Sequence, residues 1–128
     1  MKRLLLGLMM LVTATAASAE WTLVGESPGA FDYYVDVSTI RRNGNLVKMW
    51  NLLNFKTMQN VAGISYASLM DLSEFDCGEE AARSLTYHNY SGNMRTGKIV
   101  YSNTYALRWE PIAPESVRSG MWKIACGR

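Results

Sequence analysis

The chain has 128 residues, of which 13 are lysine or arginine and 11 are aspartate or glutamate. A chain of this length fits one domain with a single hydrophobic core. Two of the basic residues, Lys2 and Arg3, lie at the extreme N-terminus, so the rest of the chain has balanced charge. This balance gives no electrostatic reason to expect binding to nucleic acid or to an anionic membrane surface.

The first residues, MKRLLLGLMMLVTATAASAE, have the layout of a secretory signal peptide. Lys2 and Arg3 precede an apolar run, and Ala17 and Ala19 are small residues of the kind that signal peptidase requires. The apolar run is shorter than the ~20 residues that span a bilayer. We predict a signal peptide over residues 1–19 and an exported domain over residues 20–128. That domain has no transmembrane segment and resides in the periplasm, at the cell surface or outside the cell.

The exported part begins with segments that have the composition of β-strands. WTLVGE (residues 21–26) and FDYYVDVSTI (residues 31–40) are rich in aromatic and β-branched residues. The dipeptide Asn43-Gly44 predicts a tight hairpin whose two turn residues take positive φ. Residues 46–55 carry apolar side chains on both alternating faces, which predicts a strand covered on both sides or one that continues into a dimer surface.

The middle of the chain continues this pattern with more polar interruptions. KTMQNVAG (residues 56–63) is predicted to be a loop, and ISYASLMDLSEFDC (residues 64–77) a long strand with or without a bulge. GEEAARS (residues 78–84) favours a short helix by composition. LTYHNY (residues 85–90) and IVYSNTYALRW (residues 99–109) are predicted to be the last two strands.

The C-terminal segment changes character. Pro114 occupies a position suited to the first turn of a helix, and Val117, Met121, Ile124 and Ala125 recur at helical spacing. Strands followed by one amphipathic helix predict an α+β fold. We therefore expect a single antiparallel β-sheet of about five to six strands with a C-terminal helix packed on one face.

The two cysteines, Cys77 and Cys126, allow two interpretations. A thiolate at Cys77 with His88 as its base would make an enzyme, but it needs a third residue to orient His88 and leaves Cys126 unexplained. In an exported protein an even cysteine count favours a disulfide. A bridge between positions separated by 49 residues would stabilise the fold by about 4 kcal/mol. We predict the disulfide, which would tie the C-terminal helix to the end of a strand.

Several segments in order resemble one known family. FDYYVD, RRNGNLVKMWNL, EFDC followed by Arg83 and Tyr87, WEPIAPES and MWKIAC are similar to the surface-adhesin protein E family of Gram-negative bacteria. The resemblance covers nearly all of residues 20–128. It implies an antiparallel sheet with a helix tied to it by the cysteine pair, and binding to host matrix and plasma proteins such as laminin, vitronectin and plasminogen, or to haem. The founding adhesin is a lipoprotein, whereas this chain has no cysteine near the predicted cleavage site.

Five residues are candidate site residues. Arg41 and Arg42 flank the predicted hairpin turn and form either a cationic tip for acidic partners or two solvated side chains. Tyr33 and Tyr34 are adjacent in a strand, so one of them faces away from the helix-covered core and offers a protein-binding or dimer surface, or ordinary cross-strand packing. His88 is a candidate haem ligand without a spaced partner.

These observations predict an exported, non-enzymatic binding module that needs no cofactor and recognises a protein ligand, alone or as a homodimer. The alternatives are a periplasmic envelope protein with a structural role, a small haem-binding protein, and an enzyme that uses Cys77 or nearby carboxylates. The sequence contains no dinucleotide fingerprint, phosphate-binding loop, metal-ligand spacing or nucleophile elbow.

Overall fold

The computed structural model describes residues 20–128, so the predicted signal peptide lies outside the described residues. Within them, seven strands and an α-helix follow one another along the chain. Their bounds are β1 (Thr22–Ser27), β2 (Phe31–Asn43), β3 (Leu46–Val61), β4 (Ile64–Asp76), β5 (Ala81–Tyr90), β6 (Ile99–Asn103), β7 (Glu110–Pro111) and α1 (Val117–Cys126).

The strands form one antiparallel sheet in the order β1-β2-β3-β4-β5-β6, so each strand pairs with its neighbours in sequence. The two-residue strand β7 pairs with the first two residues of β5, whereas β6 pairs with the last four residues of that strand. Short hairpin connections favour this arrangement because they place consecutive strands side by side. The predicted α+β fold, one antiparallel sheet with a C-terminal helix, is confirmed.

The β2–β3 hairpin turns one residue later than predicted. Asn43 still pairs with Leu46, and the two turn residues are Gly44 and Asn45. Gly44 has φ +61°. A glycine at the first central position suits a type II′ turn, in which only that residue needs positive φ. Asn43 can therefore remain in the strand.

The predicted loop at residues 56–63 is instead the end of a long hairpin. Strand β3 runs to Val61, which pairs with Ile64, and Ala62 and Gly63 form the turn with φ of +51° and +82°. The Asn60 side chain accepts a hydrogen bond from the Gly63 amide at 3.1 Å. The sequence suggested a loop because Lys56, Thr57, Gln59 and Asn60 make this segment mostly polar.

The predicted short helix at residues 78–84 is absent from the structure. The Asp76 carboxylate accepts hydrogen bonds from the amides of Gly78 (2.9 Å) and Glu79 (3.1 Å), which fixes a turn. Strand β5 begins directly after it, at Ala81. Ala82 is fully buried and pairs with Phe75, so core packing outweighs the helix propensity of this segment.

The last predicted strand, residues 99–109, is also shorter in the structure. Strand β6 ends at Asn103, whose side chain bonds the backbone nitrogen and oxygen of Tyr105 at 3.4 and 3.2 Å. This local turn ends the strand, since the backbone groups that would continue the ladder are occupied by the asparagine.

Helix α1 starts at Val117, three residues after the predicted Pro114. Ser116 is the N-cap and accepts a hydrogen bond from the Ser119 amide at 3.1 Å. The helix ends at Cys126, as predicted, and Gly127 caps it in the left-handed region with φ +70°. The buried residues of the helix are Met121, Trp122, Ala125 and Cys126.

The core lies between α1 and one face of the sheet, which we call the inner face. Val35, Val47, Met49 and Phe75 are fully buried there. Cys77 and Cys126 form the predicted disulfide. The helix residue Trp122 also donates its indole N–H to the Asp76 carbonyl oxygen at 2.9 Å. Both links hold the end of α1 against the end of β4.

Candidate functional site

Helix α1 covers only part of the inner face, because it packs on strands β1 to β4. Cross-strand pairing places Leu53, Leu69, Asn89 and Tyr101 in one row that runs from β3 to β6. The helix does not cover the half of the inner face that β5 and β6 form at the end of this row. An open sheet surface is therefore left beside the core.

A cleft of about 380 Å³ lies on this uncovered part of the inner face. Clefts of roughly 300–1,000 Å³ are typical of small-ligand sites, so this one is near the lower limit. None of its lining side chains carries a charge. The lining residues are Val61, Ala62, Ile64, Tyr66, Leu69, Tyr87, Asn89 and Tyr101. We call this feature the aromatic cleft.

The cleft exists because the β3–β4 hairpin is bent. The pairing register shifts between Asn54 and Gln59, and such an irregularity bends a strand out of the plane of the sheet. Phe55, at the bend, packs edge-to-face against Tyr66 with ring centroids 5.5 Å apart and against Phe31 at 5.8 Å. These contacts position Tyr66 as one wall of the cleft and join that wall to the core.

Tyr87 and Tyr101 form the opposite wall, with ring centroids 6.0 Å apart. Burial raises the pKa of Tyr87, and the neighbouring Tyr101 and Asp71 act in the same direction. The Tyr87 phenol therefore stays protonated at neutral pH. The cleft presents neutral aromatic surface to whatever occupies it.

Asn89 contributes a polar group to this apolar surface. Its side chain is only 6% exposed, and its Oδ1 atom has no hydrogen-bond partner among residues 20–128. Leaving a buried acceptor unpaired costs roughly 1–3 kcal/mol.

Asp71 marks the boundary between the covered and open halves of the inner face. It lines a second cavity, of about 310 Å³, beside Arg118 and Met121 of α1. A hydrogen-bond chain runs from the Asn51 amide through the Ser73 hydroxyl to Asp71, at 2.8 and 2.9 Å. Burial raises the pKa of Asp71, whereas the hydroxyls of Ser84 and Ser73 and the charge of Arg118 oppose that rise.

The structure places the predicted arginines at the end of the β2–β3 hairpin, away from the aromatic cleft, and Arg42 contacts the C-terminus of α1. Arg42 donates to the Cys126 carbonyl oxygen at 3.3 Å. Arg41 donates to the carbonyl oxygens of Ser38 at 3.1 Å and Ile40 at 2.8 Å. Both side chains remain exposed, so each combines an intramolecular contact with a free charge.

Tyr33 and Tyr34 face opposite sides of the sheet, as predicted. Tyr33 belongs to the core and is 8% exposed. Its hydroxyl lies against Gly25, where an added Cβ would come within 2.8 Å. Tyr34 is half-buried on the other side of the sheet, which we call the outer face, in a row with Leu23 and Leu52.

His88 lies on the outer face, in contact with Trp50. The two rings stack with centroids 6.4 Å apart, and His88 Nδ1 is hydrogen-bonded to the Ser102 hydroxyl at 2.7 Å. Nowhere in residues 20–128 do three or more histidine, cysteine, aspartate or glutamate side chains form a group that could hold a metal ion.

The structure does not bring the five predicted site residues together. Tyr33 is in the core, Tyr34 and His88 are on the outer face, and Arg41 and Arg42 are at the β2–β3 hairpin. The sequence analysis did not single out Leu69 or Asn89, which are central to the aromatic cleft. The alternation of Tyr87 and Asn89 in β5 was the available signal, because it places an amide on the same face as an aromatic ring.

Comparisons with known proteins agree with this architecture. The family model described as surface-adhesin protein E matches residues 21–127. The structure is similar to that of Haemophilus influenzae protein E, with a TM-score of 0.66 and 12% identity, over 88% of each chain. A second crystal form of that protein gives a TM-score of 0.63 at 12% identity, over 89% of this chain and 97% of the other.

The structure of protein E from non-typeable Haemophilus influenzae gives a TM-score of 0.63 at 12% identity, over 89% of this chain and 79% of the other. At this identity the structural likeness shows the fold alone. No curated protein sequence matches the chain. In residues 20–128 no helix is long and apolar enough to cross a membrane. The family match spans almost the whole described chain, and the protein therefore belongs to the surface-adhesin protein E family.

Proposed function

We propose that residues 20–128 form an exported, non-enzymatic adhesin domain that binds host matrix or plasma proteins through the open part of its inner face. Family membership supports a surface adhesin. The observation that carries the proposal is the exposure of large apolar side chains around the aromatic cleft: Val61 is 57% exposed, Ile64 37% and Tyr101 48%. Contiguous apolar surface of this kind is typical of protein interaction sites.

The proposal is tested with the mature domain and immobilised laminin, vitronectin and plasminogen, the partners that the family resemblance implies. We expect saturable binding to at least one of them, reduced about tenfold or more by Ile64→Asp, because a charge in the apolar patch would be desolvated without a partner. Leu107→Asp is the matched control, since Leu107 is 47% exposed and does not line the cleft. Equal binding by both variants, or no binding to any ligand, would contradict the proposal.

Export and surface location are part of the same proposal. We expect the N-terminus of the purified native protein to be Glu20, which follows the predicted cleavage site. Protease added to intact cells should degrade the protein. Resistance in intact cells, with degradation after the outer membrane is opened, would instead support the periplasmic envelope protein.

The β2–β3 hairpin offers a second surface for an acidic partner. Arg41, Arg42 and Lys48 line a depression of about 160 Å³ at its end, with Glu74 on one side. We propose that this cationic tip increases the rate of association with acidic segments of a host protein. Replacing both arginines with glutamate should slow association in a salt-dependent way. Unchanged association kinetics would reject this role.

We propose that the domain acts as a homodimer that forms through its outer face. At the β1 edge of this face Leu23 is 58% exposed and pairs with the half-buried Tyr34, whereas Leu52, next in the same cross-strand row, is fully buried, so the accessible apolar surface lies at the edge strand. Sedimentation velocity should detect a dimer that Leu23→Asp dissociates. A monomer at all accessible concentrations would reject the dimer and leave the adhesin proposal intact.

Haem binding is the remaining alternative, and it depends on His88. Because Nδ1 is engaged with Ser102, Nε2 is the atom that would bind the iron. Titration of the domain with haem would then shift the Soret band, and His88→Ala would abolish the shift. A spectrum that matches free haem throughout would exclude this alternative.

A further inference from the structure

The second cavity, between α1 and the sheet, has two opposite charges on its walls. Asp71 comes from β4 and Arg118 from the first turn of α1, and both line the cavity. Asp71 keeps some accessible surface, and the Arg118 side chain is 36% exposed, so both can be reached from the cavity. Among residues 20–128 the two form no ion pair with each other, and Arg118 Nη1 lies 3.7 Å from Glu110 instead.

The surroundings of Asp71 hold its carboxylate in place without using all of it. The Ser73 hydroxyl donates to Asp71 Oδ1 at 2.9 Å and accepts a hydrogen bond from the Asn51 amide at 2.8 Å. An ionised carboxylate can accept about four hydrogen bonds, so the neighbouring serine hydroxyls leave part of that capacity free. Burial raises the pKa of Asp71, which means that the charge of Arg118 does not fully compensate this carboxylate in the free protein.

The two charges restrict what the cavity can bind. An anion would lie beside Asp71 and a cation beside Arg118, and like charges repel strongly where little water screens them. A neutral ligand would displace water from both charges and give neither an opposite partner. A zwitterion brings an ammonium to Asp71 and a carboxylate to Arg118. An α-amino acid carries these two groups on one carbon atom, which suits two opposite charges on the walls of one small cavity.

The remaining walls are mostly apolar. Met121 belongs to the core, and Phe31, Leu53 and Val117 pack against it. An apolar side chain on the ligand would lose contact with water among these residues, which favours binding. At about 310 Å³ the cavity lies at the lower limit of small-ligand sites, which suits one amino acid better than a peptide.

We infer that the cavity between α1 and the sheet binds a free α-amino acid with an apolar side chain, whose ammonium contacts Asp71 and whose carboxylate contacts Arg118. Leu69 is the one lining residue that this cavity shares with the aromatic cleft. The inference therefore goes beyond the proposed adhesin function and does not rest on it.

The test uses L-leucine and L-phenylalanine as probes and follows the backbone amide resonances of the mature domain. We expect saturable shifts in residues 69–73 and 117–121, the segments of β4 and α1 that line the cavity. N-acetyl-L-leucine lacks the ammonium, L-leucinamide lacks the carboxylate and glycine lacks the side chain. Each should bind about tenfold more weakly than L-leucine, or weaker still, because each lacks one of the three contacts.

Two variants assign the charged contacts. Asp71→Asn keeps the shape of the side chain and should remove the preference for L-leucine over N-acetyl-L-leucine. Arg118→Gln should remove the preference for L-leucine over L-leucinamide. Glu110→Gln is the matched control, because it also breaks the Arg118 ion pair but keeps the guanidinium, so its affinity for L-leucine should not fall. If a variant does not fold, the probe series with the wild-type domain still decides the matter.

The outcomes are separate from those of the adhesin test. No saturable shift with either amino acid, shifts outside the cavity, or unchanged affinity in Asp71→Asn and Arg118→Gln would overturn the site. Equal binding of L-leucine and L-leucinamide would overturn the free amino acid and indicate the N-terminal residue of a polypeptide. Ile64→Asp should bind L-leucine as the wild type does, whether or not it binds a host protein, and a loss there would overturn the placement of the site under α1.

Discussion

The two halves of the inner face share one sheet and one alternation pattern but differ in what covers them. Helix α1 has 10 residues and is about 15 Å long, whereas β3 has 16 residues and extends for roughly 50 Å. One short helix therefore covers only part of the sheet. The covered half contains the core, in which Tyr33, Phe75 and Trp122 pack with aliphatic and methionine side chains. The open half contains Tyr66, Tyr87 and Tyr101 around the cleft, and tyrosine hydroxyls tolerate water.

This difference shows how a small domain can separate stability from recognition. The covered half has a disulfide, a capped helix and fully buried apolar side chains. The open half has exposed apolar groups and an unpaired acceptor, which lower the stability of the free protein. Stabilising contacts are concentrated where no host protein is proposed to bind, so changes to the open half should alter protein binding more than folding.

The largest effect is expected from removing the disulfide of the covered half. Replacing Cys77 and Cys126 with alanine should lower the free energy of unfolding by about 4 kcal/mol, because the bridge restricts a 49-residue loop of the unfolded chain. Urea denaturation measures the change. Reduction of the wild-type protein should reproduce it, and reductant should not affect the double variant. A loss below about 1 kcal/mol would mean that noncovalent contacts alone hold α1 on the sheet.

A pair of methionines compares the covered core with the exposed end of the β3–β4 hairpin. Met121 is 4% exposed under α1, and Met58 is 58% exposed in the β3–β4 hairpin. Met121→Ala should lower the free energy of unfolding by about 2–4 kcal/mol because it leaves a cavity. Met58→Ala should change it by less than about 0.5 kcal/mol. Similar losses in both variants, measured by thermal denaturation, would contradict the conclusion that the stabilising contacts are concentrated under α1.

A substitution at Asp71 tests the energetic cost of the buried carboxylate at the boundary between the two halves. Burial raises its pKa in the folded protein above the unfolded value, so the native state binds this proton more tightly. The resulting penalty is absent below the unfolded pKa and grows as pH rises to the folded pKa. Asp71→Asn should therefore stabilise the protein near neutral pH, by about 1 kcal/mol.

The measurement is the free energy of unfolding of wild type and Asp71→Asn from acidic to neutral pH. The two curves should converge at low pH and separate as pH rises. Glu79→Gln serves as the control, because Glu79 is exposed and should not change the shape of the curve. A variant that is less stable at neutral pH would show that the attraction to Arg118 outweighs the cost of burial.

The sequence predicts the covered half of the molecule better than the open half. Three sequence patterns indicate burial against one core. They are the alternation around Tyr33 and Val35, the helical spacing of Met121 and Ala125, and the even cysteine count in a chain with a predicted signal peptide. The sequence analysis did not identify the helix residue Trp122 as buried. It replaces the predicted Ile124 on the buried face, and Ile124 is 36% exposed. The spacing predicts a helix, but a one-residue rotation about its axis depends on the partner surface.

The aromatic cleft could not be predicted from the sequence, for a physical reason. It depends on Leu69, Asn89 and Tyr101 becoming neighbours across three strands, and that pairing is set by register shifts at several points of the sheet. A shift of one residue would turn each side chain to the other face. The end of β3 also has no periodic apolar pattern, so residues 56–63 were predicted to be a loop.

The smallest expected effect concerns Arg42, which contacts the helix of the covered half, and its neighbour Arg41, which bonds only to its own strand. Arg42 donates to the last carbonyl of α1, where a cation also interacts favourably with the helix dipole. Arg42→Ala should therefore lower the free energy of unfolding by about 0.5 kcal/mol at low ionic strength, and less at high salt. Arg41→Ala should have almost no effect, because its contacts are with carbonyls of its own strand.

Parallel urea denaturation of the two variants at low and high salt measures this contrast. A salt-sensitive loss in Arg42→Ala alone would show that one arginine of the cationic tip stabilises the helix end while its neighbour is free to serve a ligand. Charge reversal at Arg41 would then report binding without a change in stability. Equal losses in both variants would instead indicate a general charge effect of the hairpin, and the separate role of Arg42 would be wrong.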